Sequence, residues 1–322
     1  MRDSVRFCCG VPAMILAFLA FSAVLGAPSR AEERPTRPFF VEIADGVYAH
    51  QGLVEETSPD NQGDISNSGF IVGDEAVAVI DTGGSVAVAE RALAAIRRIT
   101  DKPIRFVINT HMHPDHIFGN QVFAAEGATI LGHERLGAAI AARAESYRMS
   151  MAEQLGIAEI DRLDIVGPDE GVAVLAPRIV DLGNRKIVLT AWKTAHTDND
   201  LTVFDTRTQT LFTGDLVFLD HLPVLDGSLA GWLEQTADLM AIEAAHVVPG
   251  HGPLDARWPD AMAPQTGYLE RLAGDVRSAI ANGDGLQETA ESAARTEAEA
   301  FALADAFRRR NATAAFAELE WE

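Results

Sequence analysis

The sequence predicts an α+β fold in which two β-sheets pack face to face with helices on their outer surfaces. Two blocks of short β-type runs, at residues 39–80 and 179–212, are each followed by segments of helical periodicity, the pattern of a layered sandwich. The segments 70–81 and 202–215 share one plan of strand, polar turn, strand and aspartate, weak evidence of an internal duplication. The third observation is that His111, His196, Asp215 and His251 each follow closely on a strand-like run. Strand ends gathered along one edge of a sandwich converge in a cleft.

Taken in order, a Pro-rich segment, Arg34-Pro-Thr-Arg-Pro38, leads to β-type runs at 39–43, 47–50, 69–72 and 76–80. Gly73-Asp74-Glu75 between the last two predicts a hairpin. Asp81-Thr-Gly-Gly ends the second strand, and an amphipathic helix is expected over Val86–Ile99. The order repeats with a strand over Ile104–Ile108, a loop, and a helix from about His116. Runs at 179–180, 187–192, 201–204 and 210–212 form the second block, before a helix at 229–244. After Leu254 the chain turns rich in Ala and Glu, with helices expected at 261–281 and 297–320, split by Asn282-Gly-Asp-Gly. In the last of them Ala300, Leu303 and Phe307, then Ala312, Phe316 and Leu319, approximate helical spacing. These helices are expected to pack on the core as an appendage; dimerisation or partner docking is the other use they offer.

The N-terminus reads as an address. Arg2 and Arg6 precede an apolar run at 11–25 and a small-residue end with Ser29-Arg-Ala31. That run is shorter than the ~20 residues of a membrane span, so a secretory signal peptide is expected, with an uncleaved anchor as the alternative. The expected organisation is a signal peptide at 1–31, a spacer at 32–38, a main domain at 39–254 and a helical extension at 255–322, in a periplasmic protein with no membrane contact after cleavage. Cleavage removes Cys8 and Cys9, which leaves no cysteine for a disulfide, a thiolate ligand or a thiol nucleophile. With 26 Lys+Arg against 47 Asp+Glu in 322 residues, the formal net charge is −21, which argues against nucleic acid and anionic membranes as partners.

Thr110-His111-Met112-His113-Pro114-Asp115-His116 places four side chains of metal-ligand type within six positions. A lone histidine is more often packed or solvated. This run, however, is joined downstream by His196 in Thr194-Ala-His-Thr-Asp, Asp215 in Thr213-Gly-Asp and His251 in Pro249-Gly-His-Gly. Imidazole and carboxylate are what zinc takes when no thiolate is offered, and the set is large enough for two metals.

This ligand series resembles that of the metallo-β-lactamase-fold hydrolases, over about residues 39–254. The resemblance implies a four-layer αββα sandwich. Gly69-Phe-Ile-Val-Gly-Asp-Glu-Ala-Val, His116-Ile-Phe-Gly-Asn, His196-Thr-Asp-Asn-Asp-Leu and His221-Leu-Pro-Val-Leu-Asp-Gly-Ser are most similar to the quinoprotein relay system zinc metallohydrolases. That similarity implies an exported protein linked to periplasmic pyrroloquinoline-quinone (PQQ) dehydrogenases. His111, His113 and His196 are expected to hold one zinc, and Asp115, His116 and His251 a second, with Asp215 bridging. Two metals about 3.5–4 Å apart share a hydroxide and polarise a substrate oxygen, and Asp115 is expected to orient that hydroxide. Asp81 resembles the family's non-ligand aspartate, expected to accept hydrogen bonds that hold the ligand loop; the alternative is a helix N-cap before Val86. Asp198 and Asp200 either steady His196 or form its turn. His221 is a candidate substrate contact, beside a partly apolar wall of Phe218, Leu219, Leu222 and Ser228. His50, His133 and His246 are expected to be structural, and the sequon Asn311-Ala-Thr a chance match.

The leading expectation is a binuclear zinc hydrolase acting on an ester, thioester or lactam-like carbonyl of a small-molecule substrate. An iron-dependent sulfur-compound oxygenase of the same fold, and a non-catalytic metal-binding accessory to a quinoprotein dehydrogenase, are the alternatives.

Overall fold

Strands β3 (Ser68–Val72) and β4 (Val77–Ile80) are buried at nearly every position, which requires that both faces of their sheet be covered. The computed structural model, which describes Pro38–Glu322, shows how; the expected signal peptide and most of the Pro-rich spacer lie outside the described residues. β1 (Val41–Ala44), β2 (Val47–His50), β3 and β4 form an antiparallel meander. The sheet then continues in parallel through β5 (Ile104–Ile108), β6 (Thr129–His133) and β7 (Glu170–Val172). Parallel neighbours need crossover connections. These are α1 (Val86–Ile99) between β4 and β5, then α2 (Pro114–Ile117) and α3 (Asn120–Ala125) before β6, and α4 (Leu136–Leu155) and α5 (Ile157–Arg162) before β7.

The second sheet runs in the order β12-β11-β10-β9-β8. β8 (Arg178–Asp181), β9 (Lys186–Ala191), β10 (Leu201–Asp205) and β11 (Thr210–Phe218) are antiparallel. β12 (His246–His251) joins β11 in parallel after the crossover helix α6 (Leu229–Met240). The chain ends in α7 (Ala263–Asn282), α8 (Leu286–Ser292), α9 (Arg295–Ala298) and α10 (Ala304–Leu319).

Three apolar layers follow from this order. Ile71, Ala78, Ile80 and Ile108 of one sheet meet Leu189, Val203, Phe212 and Val248 of the other. Phe70, Val79 and Val107 on the outer face pack against Ala89, Ala92 and Ile96 of α1. Leu211, Val217 and Val247 pack outward on Trp232 of α6 and Leu269 and Leu272 of α7. The result is the expected four-layer αββα sandwich with a helical C-terminal region.

Several elements differ from the sequence reading. The helix expected from His116 is two short helices followed by strand β6. The run at 210–212 extends through Phe218, so Asp215 sits inside β11 rather than after it. The single helix expected over 297–320 is broken, because Leu303 adopts a left-handed backbone with φ 61° where α10 begins. The tail is also knitted into the core more closely than an appendage. Asn311 is fully buried; it donates to the carbonyl of Pro223 at 2.6 Å and accepts from the amide of Leu225 at 2.9 Å. Glu318 accepts from Ser228 Oγ and from the amide of Leu229, at the first turn of α6. The sequon asparagine is therefore a structural strut. Among the described residues no helix is long and apolar enough to cross a membrane.

Candidate metal centre

Ile108 ends β5, and the loop that follows turns His111 and His113 toward the gap between the sheets; Pro114, at the first helical position of α2, closes it. His196 comes from the loop between β9 and β10, Asp215 from the middle of β11, and His251 from the last position of β12. The backbone is shaped around Asp215. Gly214 has φ +52°, and a Cβ there would strike Thr110; a Cβ at Gly250 would collide with Asp215 Oδ1. The glycines of Thr213-Gly-Asp and Pro249-Gly-His are thus required by close approach.

All seven sequence-predicted ligands meet at this point, in two groups: His111, His113, His196 and Asp215, and Asp115, His116 and His251. In the first, His113 Nδ1 lies 3.0 Å from His111 Nε2 and 3.1 Å from His196 Nε2. Asp215 Oδ2 lies 3.6 Å from His111 Nε2 and 3.4 Å from His196 Nε2. In the second, Asp115 Oδ2 lies 3.4 Å from His116 Nε2 and 3.3 Å from His251 Nε2. Asp215 faces this group too, with Oδ1 3.1 Å from His116 Nε2 and Oδ2 3.4 Å from His251 Nε2.

These spacings fit metal ions. Tetrahedral ligands at about 2.0–2.1 Å from zinc stand roughly 3.3 Å from one another. The buried atoms His116 Nε2 and Asp215 Oδ1 also lack any hydrogen-bond partner. Leaving both unpaired is costly in a protein interior, and a cation satisfies both.

Each histidine is held from behind, which fixes the nitrogen it turns inward. His116 Nδ1 donates to Asp81 Oδ2 at 2.8 Å, and His113 Nε2 to Asp226 Oδ2 at 2.9 Å. His196 Nδ1 donates to the carbonyl of Val224 at 2.6 Å and His251 Nδ1 to that of Ile65 at 2.9 Å. His111 Nδ1 lies 3.1 Å from Thr110 Oγ1. Asp81 additionally accepts from the amide and hydroxyl of Thr110, each at 2.8 Å. It does not cap α1, since Ser85 Oγ accepts from the amide of Val88 instead. Its φ of +55° is a strained backbone for a non-glycine, of the kind that collects at functional sites.

Burial disfavours charge on all these groups, and neighbours decide the outcome. It drives His196 down to about 3. It also holds His111 well below the ordinary imidazole value, with the charge of His116 adding to the effect. Burial works against charge on His116 and His251 as well. The carboxylates of Asp215 and Asp115 nevertheless outweigh it, holding His116 well above its usual value and raising His251 to about 9. Burial pushes Asp115 and Asp215 upward, but the surrounding imidazoles overcome it and keep both ionised.

The other candidates fall out plainly. Asp200 accepts from the amide and hydroxyl of Thr197, and Asp198 from Asn199 Nδ2; both shape the turn that carries His196. His221 lines the pocket over the cluster; its Nδ1 meets the carbonyl of Leu222 and its ring stacks on Phe307. His50 bonds the carbonyl of Phe39 and Asp64, and His133 the carbonyl of Trp192. His246 is exposed on β12. The pocket also holds Arg143, Asp226 and Arg310, which the sequence reading missed. Asp226 lies in the same segment as His221, where Asp-Gly-Ser before a helix reads as turn and cap. Arg143 and Arg310 sit among ordinary charged helix residues.

Two solved structures share the fold. A metallo-β-lactamase from Pontibacter korlensis is 20% identical with a TM-score of 0.55, covering 72% of this chain and 98% of that one. TMB-1 is 17% identical with a TM-score of 0.54, covering 72% and 96%. A linear primary-alkylsulfatase from Pseudomonas sp. (strain ATCC 19151) is 42% identical over 62 residues, 19% of this chain; the match spans only 12% of that relative's length. The family model of the metallo-beta-lactamase superfamily matches residues 61–251, more than half the chain and a span that contains every residue of the two ligand groups. The chain belongs to the metallo-β-lactamase superfamily and carries its hydrolase fold.

Proposed function

We propose that this chain is an exported hydrolase that holds two zinc ions and cleaves an ester, thioester or lactam-like carbonyl of a small-molecule substrate in the periplasm. The observation that carries this reading is that one buried carboxylate, Asp215, faces both ligand groups at 3.1–3.6 Å. Zinc is favoured because the nitrogen and oxygen donors of the first group stand 3.0–3.6 Å apart, close to the spacing of a tetrahedral zinc site. Such ions supply Lewis acidity and a water whose pKa falls to about 7.

The chain's own residues do the rest. Asp115 is mostly buried, ionised and on the pocket lining, where it accepts a hydrogen bond from the attacking water and orients it. Phe218, His221 and Val224 form a largely apolar wall that positions the substrate and excludes bulk water. Similarity of four sequence segments to the quinoprotein relay metallohydrolases supports a place beside a periplasmic quinoprotein dehydrogenase system.

The short match to a linear primary-alkylsulfatase supports a second reading, in which the scissile bond belongs to a sulfate ester. Elemental analysis of the purified protein, with turnover of aryl esters, acyl thioesters, a lactam and a primary alkyl sulfate, separates the readings. About two zinc ions per chain with carbonyl turnover supports the first, and alkyl sulfate turnover alone supports the second. One tightly bound iron points to the sulfur-compound oxygenase. Zinc without any turnover points to the accessory role.

A further inference from the structure

We propose that Arg143 and Arg310 form an anion-binding subsite on the wall of the metal pocket, so that the substrate carries an acidic group a few bonds away from the one it loses. This deepens the hydrolase reading and rests on it for the word substrate; the subsite itself stands on separate geometry.

The pocket is lined by Tyr147 and Arg143 of α4, by Phe307 and Arg310 of α10, and by His113 and His251 of the metal centre. Both arginines converge on one carboxylate. Arg143 Nη1 donates to Asp226 Oδ2 at 2.7 Å, and Arg310 Nη2 lies 3.7 Å from Asp226 Oδ1. That carboxylate is already shared with His113 Nε2 at 2.9 Å. Two guanidinium groups against one carboxylate leave an excess positive charge at the pocket wall, in a chain whose formal net charge is −21.

A guanidinium offers five donors in a planar fork suited to carboxylate and related oxyanions. Arg310 makes no hydrogen bond among the described residues and is about half exposed, at 53%, so its fork is free for a ligand. Arg143 is linked to the ligand cluster through one carboxylate, because Asp226 accepts from both Arg143 and His113. An anion held by the arginines and a group held at the centre therefore belong to one short molecule. Met151 and Val224 line the same pocket and suit an apolar spacer between the two ends. The bland alternative is that the arginines merely tether α4 and α10 across Asp226.

Calorimetric binding to the metal-loaded protein separates the two. The probes are succinate, glutarate and adipate, each paired with the monocarboxylate of the same chain length. The first carboxylate is common to each pair, so its interaction with the metals cancels in the ratio of affinities. At least one dicarboxylate should bind about tenfold or more tightly than its partner, with a ratio that shrinks at high salt. Arg310→Met should bring the ratio below about threefold, while Arg310→Lys retains part of it. Thermal unfolding of each variant shows whether it is folded. A ratio near one for all three pairs in the wild type, or an unchanged ratio in both Arg310→Met and Arg143→Met, overturns the subsite and leaves the tether. The ratios need no turnover. Ester hydrolysis without a dicarboxylate preference sinks the subsite alone, and a preference without hydrolysis sinks the hydrolase alone.

Discussion

His116 donates a hydrogen bond from Nδ1 to Asp81 at 2.8 Å and turns Nε2 to within 3.1 Å of Asp215 Oδ1. One ring thus transmits the position of a strained aspartate at the end of β4 to the shared carboxylate of β11. Asp81→Asn keeps the shape but places a neutral amide where the carboxylate accepted from both His116 and Thr110. We expect zinc affinity of the Asp115/His116/His251 group to fall about 10–100-fold, with the His111/His113/His196 group affected less. Competitive chelator titration of wild type and variant reads both, and equal affinities in the two proteins defeat the assignment.

The two ligand groups should also load with different proton stoichiometry. His196, held near 3, and His111, held well below its usual value, are neutral and ready to bind at pH 7. His251, raised to about 9, and His116, raised well above its ordinary value, carry protons there. A raised pKa means the metal-free fold binds the proton more tightly, so a metal must displace it at any pH below about 9. Filling the second group at pH 7 should release about two protons, and its affinity should fall steeply with acidification. Zinc titration calorimetry in buffers of different ionisation enthalpy measures this; equal release from both sites would contradict it.

Asn311 tests how deeply the C-terminal helix is built into the fold. Its side chain is fully buried and bonds the carbonyl of Pro223, the amide of Leu225 and Tyr268 Oη. Asn311→Ala strands those groups and opens a small cavity. Each buried orphan costs about 1–3 kcal/mol, so a loss of about 3 kcal/mol or more in denaturant unfolding is expected. A change below about 0.5 kcal/mol, the range of surface substitutions, would mean that α10 is no more than the appendage its sequence suggested.

Much of the centre was legible in the sequence because metal chemistry restricts residue type. All seven residues that converge in the two groups could be named from His111-x-His113-x-Asp115-His116 and three isolated residues. The groups that hold those ligands were less visible. Val224 and Ile65 act through backbone carbonyls, which leave no trace in residue identity. Asp226 acts across 113 positions of sequence, and its local context is that of a turn. Strand β6 and helix α4 went unread because the former is a short buried run, where periodicity cannot separate strand from helix. The latter buries only Leu136, Ile140, Met151 and Leu155 of its 20 residues, so its apolar stripe is faint. Leu303 was read as helix because its spacing is helical; its left-handed φ of 61° leaves no mark on that spacing.

Export is tested at the N-terminus. Arg2 and Arg6, the apolar run at 11–25 and Ser29-Arg-Ala31 predict a mature chain beginning near Glu32. Its folding should be indifferent to reducing agent, because both cysteines precede that point. N-terminal sequencing of periplasmic material checks this. Intact Met1 in a soluble cytoplasmic fraction would end the proposal.

Asp115 is the sharpest probe of mechanism. Its Oδ2 lies 3.3 Å from His251 Nε2 and 3.4 Å from His116 Nε2, and its backbone carbonyl is fixed by Ser66 Oγ at 2.5 Å. Asp115→Asn preserves that backbone anchor but removes the carboxylate that orients the attacking water and helps hold the second metal. The loss falls on the transition state more than on substrate binding, so kcat should drop while KM changes little. A fall of roughly 10²-fold corresponds to about 2.7 kcal/mol of barrier, a typical share for one electrostatic group. The His111/His113/His196 metal should remain. In the wild type, rate should rise with pH through a transition near about 7; in the variant that dependence should weaken. The measurement is a pH–rate profile of both proteins on whichever ester or thioester is turned over, with zinc content determined on the same samples. An unchanged kcat in a variant that has kept both metals would remove Asp115 from the reaction and leave it only a ligand.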